Sequence, residues 1–257
     1  MKGRAGFLAP WLMAAALALG GCAGMGDRLS AEDREEAADI NAELGLGYLR
    51  EGEVDQAKRN LKRALEHDRR HALANLGMAA VYERREDYER AEEHYRVALR
   101  RDADNPYVQT SLGALLCRRE AFEEAQELFA KAAANPEYDQ RHVALMNAGV
   151  CYVDEGRTEE AEAKLREALK AEPRYGRALL ELAHLTYEDG RPMQTRAFLQ
   201  RLEGLGVENA EMLLLCYQAE TALGNRRAAG GCAQSLRRNY PDSDEMTTLR
   251  RLESDGG

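Results

Sequence analysis

Residues 44–64 read LGLGYLREGEVDQAKRNLKRA, and three small residues within them, Gly45, Ala57 and Ala64, stand 12 and 7 positions apart. The same triple returns as Ala79, Ala91, Ala98, as Gly113, Ala125, Ala132, and as Gly149, Ala161, Ala168. Weaker copies follow as Ala183, Thr195, Leu202 and as Tyr217, Ala229, Leu236. Successive first members are 34, 34, 36, 34 and 34 residues apart. A fixed period of this length is the signature of a helical solenoid, in which each helix pair buries its apolar side only by stacking on its neighbours.

Small residues are needed where two antiparallel helices nearly touch, and large ones fill the space around them. The large set is Leu44, Tyr48 and Leu61 in the first unit, Met78, Tyr82 and Tyr95 in the second, Leu112, Leu116 and Phe129 in the third, and Tyr152 and Leu165 in the fourth. Gly52, Gly156, Gly190 and Gly224 fall where a helix pair turns; Pro173 and Pro241 fall where a second helix stops. This skeleton resembles the tetratricopeptide repeat. The expected fold is all-α, a right-handed superhelix of six helix pairs over 38–71, 72–105, 106–141, 142–175, 176–209 and 210–243, followed by a tail, 244–257. Thr195 and Tyr217 depart from the small-residue pattern and leave the packing of the last two pairs open.

The chain has 257 residues, 32% of them charged, and a net charge of -9. An acidic body without a basic stripe argues against nucleic acid as a partner. No chemistry stands out either. His67 and His71 have helical metal-pair spacing but straddle the expected turn between repeats. Ser111 lacks a glycine elbow, Gly230-Gly231 has no following lysine, and there is no CxxC. The reading is of a protein with no catalytic residue, metal, cofactor or small-molecule substrate.

Lys2 and Arg4 precede an apolar run, 7–19, too short to span a bilayer and suited to a secretory leader. Leu19-Gly20-Gly21-Cys22 resembles a lipobox, which implies removal of 1–21 and acylation of Cys22; an ordinary signal peptide with a chance cysteine is the competing reading. In the sorting scheme this resemblance implies, Ala23 in place of Asp directs the chain to the outer membrane, facing the periplasm. Residues 22–37 then form a lipidated tether and helix start, with Ser30 and Asp33 patterned as a helix cap. Four cysteines remain. In a solenoid the first helices lie side by side, so Cys117 and Cys151 are expected to bridge repeats three and four; Cys216 and Cys232 are a second possible pair within the last repeat. Four buried thiols are the alternative.

The repeat register also assigns a partner-binding groove. Tetratricopeptide proteins use fixed first-helix positions on the concave face, which here gives Leu46, Leu49, Leu73, Leu76, Tyr107, Met146, Val150, Val153, Leu180 and Tyr187. Such a largely apolar lining suits an amphipathic helix or apolar strand of another protein.

The lipobox, the repeats and the strings LGLGYLREGEVDQAKRNLKRALE, SLGALLCRREAFEEA and LMNAGVCYVDEGRTEEAEAKLREAL together resemble the type IV pilus biogenesis and stability lipoproteins, the PilF/PilW family. The resemblance implies a non-catalytic scaffold that acts as pilotin for a secretin or as a pilus stability factor. Its partners would be the secretin or another pilus-assembly envelope protein, and outer-membrane lipid through Cys22. The alternative is an outer-membrane adaptor for barrel assembly or for periplasmic hydrolases or proteases.

Overall fold

The computed structural model describes residues 30–255; the expected leader, Cys22 and most of the expected tether lie outside them. Thirteen α-helices make up the described residues: α1 (Ala31–Arg50), α2 (Val54–His67), α3 (Ala72–Glu83), α4 (Tyr88–Arg101), α5 (Pro106–Arg118), α6 (Phe122–Ala134), α7 (Arg141–Asp154), α8 (Thr158–Ala171), α9 (Gly176–Glu188), α10 (Pro192–Glu203), α11 (Ala210–Ala222), α12 (Arg226–Asn239) and α13 (Asp244–Asp255). Each odd helix up to α11 packs on the even helix that follows it. First helices also pack on first helices at three of the five steps, α1 on α3, α5 on α7 and α9 on α11, whereas no two second helices pack closely on one another. The first helices therefore form the tighter, inner row of a curved stack.

Local chemistry explains the boundaries. Ser30 and Asp33 form a reciprocal capping box at the start of α1. Asn105 caps α5 ahead of Pro106, and Asn209 and Asn225 cap α11 and α12. All six helix pairs turn on one device. A backbone N–H just past the turn donates back to a carbonyl in the first helix: Glu53 to Tyr48, Asp87 to Tyr82, Ala121 to Leu116, Arg157 to Tyr152, Arg191 to Thr186, and Asn225 to Glu220, at 2.8–3.0 Å. This closure needs one residue in the left-handed region. Glycine supplies it at 52, 156, 190 and 224, but Glu86 (φ 58°) and Glu120 (φ 62°) supply it in repeats two and three. Glu86→Gly and Glu120→Gly are each expected to stabilise the array by up to about 1 kcal/mol, read as a higher urea midpoint.

The small-residue triples pack as their spacing predicts. Gly45, Ala57 and Ala64 are buried together. A β-carbon added at Gly45, Gly113 or Gly149 would fall 2.5–2.8 Å from Leu61, Phe129 or Leu165 respectively. Thr195 is accommodated in repeat five because its hydroxyl lies 3.0 Å from that of Thr186, both fully buried. Leu44, expected in the packing of the first pair, is instead 49% exposed. The segment 244–257 is not a tail in its described part: α13 packs on α11 and α12 and buries Met246 and Leu249.

The apolar interior comes in three clusters. The first runs through repeats one to three and reaches Ala148 and Cys151 of α7; the second spans α6 to α11; the third joins α11, α12 and α13. Disulfides join Cys117 to Cys151, with Cα atoms 5.7 Å apart, and Cys216 to Cys232, at 6.0 Å.

Candidate protein-binding face

Every groove residue expected from the register lies on a first helix, in the inner row. They are not equally available. Leu73, Tyr107 and Val153 are 37–42% exposed. Leu46, Leu76, Val150, Leu180 and Tyr187 are half-buried. Leu49 and Met146 are corrections to the expected lining: at 6% and 1% exposure they belong to the interior. Leu49 joins the first apolar cluster and Met146 the second. Leu46 is taken up between α1 and α3, its side chain sitting where a β-carbon on Gly77 would come within 3.1 Å.

Between α5 and α7 the inner face is more polar than the register suggests. A recess of about 260 Å³ is lined by Glu83, Tyr107, Thr110, Ser111, Ala114, Tyr138, Gln140, Val143 and Asn147. Tyr107 donates its hydroxyl to Asp139 (2.8 Å) and meets the Tyr138 ring edge-on, centroids 5.1 Å apart. Tyr138 Oη lies 3.2 Å from Thr110 Oγ1, and burial pushes the Tyr138 hydroxyl above its ordinary range. Glu83 accepts from Tyr95, a hydroxyl raised well above its usual value by burial and by that carboxylate, and pairs with Arg118. Tyr138 comes from the loop before α7, outside the first-helix register, and Ser111 and Asn147 occupy first-helix positions other than those used to assign the groove.

Further along, His184 of α9 pairs with Glu211 of α11 (2.8 Å) beside the half-buried Glu181. Burial pushes the Glu181 carboxyl up, His184 and Arg177 pull it back, and Glu211 and Asp154 push it further. A folded-state value raised above the unfolded one means that ionisation costs stability as pH rises through it. Glu181→Gln is therefore expected to raise the melting temperature near neutral pH, with the gain shrinking as the solution is acidified to about pH 4. The pair between Arg196 of α10 and Glu220 of α11 has the opposite sign: the Arg196 hydrogen bond lowers the Glu220 carboxyl, so its contribution is present above the ordinary carboxylate range and lost as pH falls through the lowered value.

Among the described residues there is no grouping of His, Cys, Asp and Glu that could hold a metal ion, and no helix is long and apolar enough to cross a membrane. His67 ends α2 and His71 caps α3, so the pair does not share a helix.

Tetratricopeptide-repeat family models match residues 48–115 and 152–216, and a second such model matches 110–175. The type IV pilus assembly protein PilF of Pseudomonas aeruginosa is 30% identical over 233 residues, covering 90% of this chain and 92% of that protein. A solved structure of Pseudomonas aeruginosa PilF superposes with a TM-score of 0.76 at 29% identity, covering 85% of this chain and 99% of that one. A crystal structure of PilW, a type IV pilus biogenesis factor, does so with a TM-score of 0.78 at 30% identity, covering 83% and 98%.

Proposed function

Because the chain belongs to the tetratricopeptide-repeat proteins of type IV pilus assembly, the PilF/PilW family, we propose that it is the pilotin of its system, holding a segment of the secretin in its inner groove. It is a non-catalytic scaffold. Cys22 carries the lipid that keeps it on the periplasmic face of the outer membrane, where three acyl chains exceed the two anchoring signals needed for stable attachment. Secretin captured there multimerises at the membrane it must enter.

The observation that carries the groove is the exposure of Leu73, Tyr107 and Val153 on the inner row. Apolar side chains at that exposure gain free energy when a partner covers them, and half-buried Leu76, Val150, Leu180 and Tyr187 extend the surface on either side. The polar recess between α5 and α7 adds donors and acceptors that fix a bound segment in register.

Secretin capture from solubilised outer membranes, with Cys22 intact, tests this. Leu73→Glu with Val153→Glu is expected to weaken capture about ten-fold or more while leaving the helical circular dichroism unchanged. Undiminished capture by that variant rules out the groove. If the unaltered chain retains barrel-assembly components or hydrolases and no secretin, the adaptor reading replaces the pilotin one.

A further inference from the structure

Repeats two to five bury their third and seventh residues, both on the first helix. Ala74 and Met78, Val108 and Leu112, Ala144 and Ala148, and Ala178 and Leu182 are all at most 3% exposed. In α1 the same register positions hold Ile40 and Leu44, and these are 51% and 49% exposed. Repeat one has its own second helix and its following repeat, and among the described residues no repeat lies in front of it. Ile40 and Leu44 thus hold stacking positions that no described element covers.

Four residues apart, they form one ridge on α1. Gly47 continues the line with no side chain to block it. By helical spacing Asp33, Glu36 and Glu43 share this side, and α1 as a whole carries six carboxylates against two arginines. The opposite end of the array is different, because α13 closes it over Met246 and Leu249. A solenoid with one closed end and one open, apolar end has a docking position at the open end.

We propose that the Ile40–Leu44 ridge docks a basic amphipathic helix from another protein, seated where a preceding repeat would stack. The apolar pair takes the leucine-like stripe of that helix, and the carboxylates of α1 take the lysines or arginines beside it. The same charges select against the other occupants. A second copy presenting its own α1, and an anionic lipid surface, both bring negative charge to a negative helix. The ridge is at the end of the stack and separate from the inner groove, so it stands or falls independently of secretin binding there.

The test uses the full chain and two synthetic fluorescent peptides of about 18 residues, one of leucine and lysine and one of leucine and glutamate, each patterned as an amphipathic helix. Binding is read by anisotropy at about 0.15 M salt. The leucine–lysine peptide is expected to bind. Ile40→Ser with Leu44→Ser should weaken it about ten-fold or more, Leu73→Glu with Val153→Glu should leave it unchanged, and the leucine–glutamate peptide should bind about ten-fold more weakly or not at all. Equal binding by the ridge variant overturns the proposal, as does loss confined to the groove variant. A dimer in sedimentation that dissociates in the ridge variant assigns the ridge to a second copy instead. Ridge-dependent uptake onto phosphatidylglycerol vesicles assigns it to lipid.

Discussion

Cys117→Ala with Cys151→Ala is expected to lower stability by about 3–4 kcal/mol and to split urea unfolding into two transitions. The bond closes a separation of 34 residues, and the chain-entropy model gives about that figure for a loop of this length. The splitting follows from where it lies. The first apolar cluster ends, and the second begins, around α6 and α7, so the interior changes hands between repeats three and four. The disulfide spans that change, linking α5 to α7. Without it, each cluster is free to unfold with the repeats it serves, as a one-dimensional array does when one interface weakens. Removing Cys216–Cys232, a separation of 16 residues near the end of the array, should cost about 3 kcal/mol and fray the last repeat without dividing the rest. Circular dichroism with and without reductant checks both; one transition with an unmoved midpoint in the first variant would refute the account.

Gly149→Val should destabilise the protein by about 3 kcal/mol or more. Even the first added carbon would stand 2.7 Å from Leu165 Cγ, 2.9 Å from Leu165 Cδ2 and 3.2 Å from the Ala161 carbonyl oxygen. Leu165 is fully buried and has no open space to retreat into, and a carbonyl oxygen moves only with its helix. α7 and α8 would have to separate, exposing the pair of faces that defines the repeat. Gly230→Ala provides the contrast. Nothing lies within 4 Å of a β-carbon there, so helix propensity alone operates and the variant should gain up to about 1 kcal/mol. Thermal melts of the two variants, moving in opposite directions, distinguish close approach from general dislike of glycine in helices.

The parts of the structure that spacing alone determines were readable from the residues. A triple such as Gly45, Ala57, Ala64 repeats because each repeat solves the same crossing, and solving it needs no knowledge of the others. Thr195 looked like a failure of that pattern and is not one: its partner Thr186 stands nine residues earlier, and only the pair makes sense of a buried hydroxyl. Exposure on the inner row was harder. Leu49 and Leu73 read alike as groove positions, yet one joins the first apolar cluster and the other is open, which register alone does not tell apart. Leu44 fits the packing pattern so well that its exposure is visible only once repeat one is seen to be the first among the described residues. α13 was missed although its signals are present: Ser243 Oγ accepts from the Met246 N–H, and Met246 and Leu249 have helical spacing.

The two rows of helices give the array unequal elasticity. Members of the outer row do not pack closely on each other and are linked through the first helix that lies between them, so flexing there works on second-to-first contacts alone. The inner row is stiffer, and a covalent rung between α5 and α7 removes its central joint altogether. Adjustment to a guest is thereby left to the outer thirds of the molecule, around a rigid middle that holds its shape whether or not anything is in its grip.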